Sequence, residues 1–223
     1  MTIEWWLLII IGIVGLIVQG RLQSVFSKYS KVPMTGGLTG REVAEMLRDN
    51  GIHDVTVTST RGHLTDNYNP TNKTINLSES VYASNSIAAA AVAAHETGHA
   101  IQDAYGYAPL RVRSALVPVI SFASQWSFLL IIVGIILINT MPAIFWAGIA
   151  LIALSAIFSV ITLPVEYNAS NRAMQWLEAS GTLHGEALQQ AGTALRWAAR
   201  TYLVAALSAI ATLLYYIGFA RRD

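Results

Sequence analysis

The sequence predicts a mostly α-helical integral membrane protein: about four transmembrane helices plus a small α+β domain that carries a His-Glu-x-x-His helix. Three observations lead there. The 223 residues are 54% hydrophobic and 12% charged, too apolar for one or two soluble domains. The long uncharged runs are of bilayer length. Between them, residues 21–85 have the composition of a soluble domain, with Lys28, Lys31, Arg41, Arg48, Arg61 and Lys73 spread through them. The net charge of +1 singles out no partner, and no nucleic acid is expected. The absence of cysteine excludes disulfides, thiolate metal ligands and a cysteine nucleophile.

In chain order, residues 1–20 read as a transmembrane anchor. The apolar run from Trp5 to Val18 follows Glu4 rather than a basic segment and has no small-residue cleavage site before Arg21, so it is an uncleaved anchor and not a signal peptide. Trp5 and Trp6 suit the membrane interface.

Residues 21–113 form the expected soluble domain. Thr39-Gly40-Arg41-Glu42 is a capping box that opens a short helix with Val43, Ala44, Met46 and Leu47 on one face, and Asn50-Gly51 closes it. Asp54 to Thr60 and Lys73 to Leu77 alternate apolar and polar residues and read as strands, joined by the polar, turn-rich Arg61 to Asn72. These strands are either a plain hairpin, or the second offers its edge to an extended peptide.

Next comes Ala93-Ala94-His95-Glu96-Thr97-Gly98-His99-Ala100. Ser86 can cap a helix here, and the alanines before His95 are the strongest helix formers. On a helix, positions i and i+4 share a face, so His95 and His99 can reach one metal while Glu96 sits beside the open coordination position. That is the chemistry of zinc hydrolysis, with one Zn2+ and Glu96 as the base. Gly98 costs about 1 kcal/mol inside a helix. Close approach of a neighbouring backbone, or of substrate, is the expected reason.

No charged residue and no histidine separates Arg113 from Glu166, an interval of 52 residues. Residues 114–165 are therefore expected to be a transmembrane hairpin of Val117 to Ile138 and Ala143 to Leu163, turning at Asn139-Thr140-Met141-Pro142. Two crossings return the chain to the histidines' side, where residues 166–200 make a helical segment, and residues 201–223 hold the fourth span. With the amino terminus outside, Arg21, Lys28, Lys31, Arg41, Arg48, Arg61, Lys73, Arg111, Arg113, Arg172, Arg196 and Arg200 share one side, and only Arg221 and Arg222 lie opposite. The positive-inside rule makes the larger set cytoplasmic in a multi-pass protein of the plasma membrane.

A histidine pair needs a third protein ligand. A metzincin would have histidine at position 105, where this chain has Tyr105. Asp103, one helical turn beyond His99, is a candidate better suited to a supporting role. Glu166 is the first ionisable group after the hairpin and completes a His-His-Glu set, with Pro164 suited to the first turn of its helix. His53, His63 and His184 read as surface or loop histidines.

With these residues in place, the sequence resembles the bacterial membrane-bound neutral zinc metallopeptidases called YugP-like. The matching stretches are Thr39 to Ala44, Leu64-Thr65-Asp66-Asn67-Tyr68-Asn69-Pro70, Ile75-Asn76-Leu77-Ser78, Val92 to Gln102 and Leu163 to Ala173, in the family's order and over most of the chain. More distantly, the Glu166 to Ser170 segment is similar to the Glu-x-x-x-Asp segment of integral-membrane gluzincins. Ser170 replaces the acid, which leaves Asp103 as a candidate to orient a ligand histidine. The resemblance implies a membrane metallopeptidase whose zincin-like domain faces the cytoplasm, and it implies neither substrate nor partner; the expected function is a zinc endopeptidase acting on membrane or membrane-associated proteins. Expected partners are a protein or peptide substrate, the lipid bilayer and membrane adaptor proteins. Tyr107, Tyr167 and Arg172 are the candidates for stabilising the oxyanion. Two other readings compete. An intramembrane (site-2-like) protease is disfavoured because only about eight apolar residues precede His95, too few for a span. An inactive scaffold is disfavoured by the intact Glu96.

Overall fold

The computed structural model describes residues 3–44, 46–62 and 65–220, so His63, Leu64, Arg221 and Arg222 lie outside the described residues. In chain order the elements are α1 (Ile3–Tyr29), α2 (Gly40–Val43), α3 (Met46–Asp49), β1 (Thr56–Thr60), β2 (Asn67–Asn69), β3 (Thr74–Ser78), α4 (Glu79–Tyr82), α5 (Ile87–Ala104), α6 (Ala108–Ile136), α7 (Pro142–Ala179) and α8 (Gly185–Ala220). Helices α1, α6, α7 and α8 are long and apolar enough to cross a membrane. A mostly helical membrane protein with a small α+β part is thus what the chain forms.

The chain divides into two units. One comprises Met1–Ile17, Val112–Leu163 and Thr201–Asp223. Its outward faces carry Trp6, Ile10, Ile13, Leu16, Phe128 and Ile136, a surface suited to lipid and not to water. Inside it, a side chain on Gly134 would begin 2.4 Å from the Phe145 Cα, so only glycine lets α6 and α7 approach this closely. Phe145 is buried there against Tyr216 and Phe219, while Trp5 stacks edge-on against Tyr215 at 5.5 Å.

The other unit comprises Val18–Arg111 and Pro164–Arg200. Its core surrounds α5, whose Ala88 to Ala91, Ala93 and Ala94 are all buried. The Ser86 hydroxyl caps α5 by accepting the Ala89 N–H at 3.2 Å. The capping box also forms, with Thr39 N–H donating to Glu42 Oε2 at 2.7 Å and Thr39 Oγ1 accepting the Glu42 N–H at 3.4 Å. The expected single helix after it is two short ones, α2 and α3, closed by Gly51 in the left-handed region at φ 71°.

Two expectations are corrected here. The strands read from the sequence are not hairpin partners: the order is β1-β3-β2, with β1 parallel and β2 antiparallel to β3. The polar connection is long enough to bring the chain back before β3 and contributes a strand on the way. β2 has three residues, Asn67-Tyr68-Asn69, too short for alternation to reveal. β3 is therefore central and offers no free edge. A polar row ties the sheet together, Thr58 Oγ1 to Asn76 Oδ1 at 3.0 Å and Asn76 Nδ2 to Asn67 Oδ1 at 2.9 Å. The second correction concerns Pro164, which lies inside α7, whose first turn begins with Pro142. Proline in such long apolar helices is tolerated because neighbouring groups satisfy the carbonyl it leaves unpaired.

Candidate metal centre

Helix α5 sets His95 and His99 one turn apart, with ring centroids 4.8 Å from each other. Glu166 comes to them from α7, its Oε2 lying 3.2 Å from His95 Nε2 and 3.5 Å from His99 Nε2. Glu166 and His99 are buried and His95 is nearly so. The crossing that permits this is made at Gly98, where a Cβ would stand 2.7 Å from the Ala169 carbonyl oxygen and 3.1 Å from its Cα. The glycine anticipated on the metal helix thus has its reason in a neighbouring backbone.

The proton position on His99 follows from its partner. Gln102 is fully buried, and its Nε2 donates to Val165 O at 2.8 Å and Asn168 Oδ1 at 3.0 Å. Because a carbonyl only accepts, this fixes the amide so that Oε1 faces His99 Nδ1 at 3.1 Å. His99 therefore donates from Nδ1 and keeps a bare lone pair on Nε2. His95 Nδ1 lies 3.1 Å from Ser170 Oγ, a hydroxyl that can donate or accept, and its Nε2 is turned to Glu166. Acceptor atoms that close to one another are satisfied by a cation. Ligands about 2.0–2.2 Å from a tetrahedral zinc stand about 3.3–3.5 Å apart, and the two spacings from Glu166 to the histidines fit that value. Two imidazoles and a carboxylate also suit zinc by donor type, and His95, His99 and Glu166 are the set placed to hold a metal ion among the described residues.

The family model described as "Putative neutral zinc metallopeptidase" matches residues 4–221. The chain belongs to this family. The relative "Putative membrane protease YugP" of Bacillus subtilis (strain 168) is 41% identical over 200 residues, which cover 89% of this chain and 88% of that protein. No solved structure matches the chain. The chain therefore has the family that its motif stretches resemble, and the cofactor implied by that family fits the residues on its α5 and α7.

Glu96 is buried beside the histidines. Burial pushes its carboxyl up to about 7, aided by the Glu166 and Asp66 charges and opposed by His95 and by a backbone hydrogen bond from Tyr68. A divalent cation at the histidines would draw it down again. The Tyr68 contact follows from the sheet register. Asn67 and Asn69 pair with β3, and Tyr68 between them turns its backbone to the outer edge of β2.

The remaining sequence candidates are dispersed. Asp103 accepts from the Tyr68 hydroxyl at 2.8 Å. The partner of His95 is Ser170 itself, and that of His99 is Gln102. Arg172 Nε donates to Asn168 Oδ1 at 2.8 Å, joining the Gln102 network. Tyr107 is half-buried, with its N–H on the Gln102 carbonyl at 2.8 Å, and Tyr167 is exposed. Tyr105 is exposed and donates to the Asn50 carbonyl at 3.2 Å, and His53 and His184 are exposed as anticipated. Sequence reasoning missed Gln102, Asn168 and Tyr68. Gln102 had left a signal, an uncharged polar residue one turn beyond a candidate metal-binding histidine on an apolar helix.

Proposed function

We propose that this family member is a membrane zinc endopeptidase of the gluzincin type, in which His95, His99 and Glu166 hold one zinc and Glu96 is the base. The observation that supports this best is the Glu166 oxygen at 3.2 and 3.5 Å from two histidine nitrogens, with the ring proton of His99 directed to Gln102. When bound, zinc supplies Lewis acidity toward water and toward the scissile carbonyl. Glu96 takes a proton from the attacking water as the new C–O bond forms, and passes it to the leaving amine as the C–N bond breaks. Ser170 and Gln102 hold the two imidazoles in register. Tyr107, Tyr167 and Arg172 are the candidates for meeting the oxyanion.

The outer edge of β2 is the place for an extended substrate. Its outward backbone group is Tyr68, whose N–H bonds Glu96, so a peptide pairing there would take over that N–H and bring its carbonyls past the base. Membrane or membrane-associated proteins are the expected substrates, aided by membrane adaptor proteins. The excess of Lys and Arg on one side of the four spans supports a cytoplasmic site in the plasma membrane.

The test compares wild type with Glu96→Gln for zinc content and for hydrolysis of an unstructured protein in detergent micelles. The variant should keep its zinc and lose hydrolysis, because Glu96 is a base and not a ligand. A Gln variant that cleaves as fast as wild type would overturn this mechanism.

A further inference from the structure

Strand β2 is tied to the metal helix by Tyr68. In the sheet register Tyr68 stands opposite Ile75, which is fully buried, so the Tyr68 ring lies on the inward face of the sheet, against the core around α5. Its N–H bonds Glu96, and its hydroxyl donates to Asp103 Oδ2 at 2.8 Å. Glu96 and Asp103 lie two turns apart on α5, about 10 Å along the helix axis. One tyrosine thus bridges the stretch of helix that carries His99.

This double tie matters because β2 is otherwise lightly held. It has three residues, and among the described residues β3 is its one neighbour in the sheet. The Tyr68 N–H turns away from β3, so the middle of the strand is located by α5 and not by the ladder. A peptide pairing with the outer edge of β2 takes over that N–H and breaks the contact with Glu96. The hydroxyl bond to Asp103 still holds. It is a strong bond, because its acceptor is a carboxylate and both residues are half-buried. Burial, the bond itself and the Asp103 charge all push the Tyr68 hydroxyl's pKa up, so it stays a donor. Asp103 has no part in holding a histidine, since the partners of His95 and His99 are Ser170 and Gln102.

We propose that Asp103 is a positioning residue for extended substrates: through the Tyr68 hydroxyl it keeps the outer edge of β2 at a fixed distance from α5 while the Tyr68 N–H changes partner from Glu96 to the substrate backbone. This rests on the peptidase reading and on substrate pairing with β2. It assigns Asp103 to substrate binding, and neither to the metal nor to proton transfer.

The test uses full-length protein in detergent and a fluorogenic peptide of about eight residues, within the usual range of strands, spanning a bond that wild type cleaves in an unstructured protein. If wild type cleaves no such protein, the peptidase reading falls and this proposal with it; if it does, the Asp103 and Tyr68 variants decide. Tyr68→Phe removes the hydroxyl but keeps ring and backbone, Asp103→Ala removes the acceptor, and Asp103→Asn keeps an acceptor oxygen. We expect KM to rise about fivefold or more in Tyr68→Phe and in Asp103→Ala, with kcat changed less than about twofold, the mark of lost substrate binding. The double variant should be no worse than either single one, because both break the same bond. Asp103→Asn should recover most of the loss, and bound zinc should equal wild type throughout. An unchanged KM in either single variant, a fall in kcat alone, losses that add in the double variant, or Asp103→Asn as impaired as Asp103→Ala would overturn the proposal. So would loss of zinc from Asp103→Ala, which places Asp103 at the metal, or variants that lower only the thermal midpoint, the result expected of a purely structural bond.

Discussion

The carbonyl oxygen of Ala169 stands 2.7 Å from the point where a side chain on Gly98 would begin. In an ordinary helix, Gly→Ala would stabilise by about 1 kcal/mol. Here the neighbouring atoms are backbone and cannot rotate away, and overpacking of this kind costs about 1–3 kcal/mol. The clash should win. Gly98→Ala is expected to lower the thermal midpoint in detergent and to weaken zinc retention, because Ala169 lies one turn beyond Glu166 on α7. Gly12→Ala on α1, where nothing lies within 4 Å of the added carbon, should be neutral or stabilising. Equal midpoints for Gly98→Ala and wild type would refute the packing argument.

Glu166→Ala should lose zinc during dialysis against a moderate chelator to the extent that His95→Ala does. Asp103→Ala should keep it, because the Asp103 carboxylate is bonded to the Tyr68 hydroxyl. Glu178→Ala, at an exposed position, serves as the control. Zinc retained by Glu166→Ala and lost by Asp103→Ala would transfer the third ligand to Asp103.

Removing the partner of a ligand histidine typically weakens metal binding by about 10–100-fold. Gln102→Ala frees His99 to rotate and leaves the Val165 carbonyl without its extra donor, so a loss within that range is expected in chelator competition. Ser170→Ala should lose less, since a serine hydroxyl is the weaker orienting partner for His95. Unchanged zinc affinity in Gln102→Ala would show that helix packing alone holds the ring.

The distribution of basic residues gives a topology prediction. A reporter inserted between Lys31 and Thr39 should be cytoplasmic, and one fused at the carboxyl terminus should be outside. Both reporters on the same side would remove one span from the four.

Much of the site was legible in the sequence because it is local. A spacing of four on a helix puts His95 and His99 on one face wherever that helix goes. The Thr39 capping box and the Ser86 cap also depend on residues within three positions of one another. The apolar runs announce the long helices because their composition, and not their context, makes them insoluble in water. Gly98 could be read as an anomaly, although its neighbour could not be named. What the tertiary structure alone decided involves partners distant in the chain. The parallel pairing of β1 with β3 left β2 at the edge beside Glu96. The unbroken course of α7 through Pro164 brought Ser170 to His95 and the Val165 carbonyl to Gln102. Those contacts span 63 and 75 positions of sequence. Over such separations the partner is chosen by how whole helices and strands bury their faces against one another, which no short window of residue types encodes.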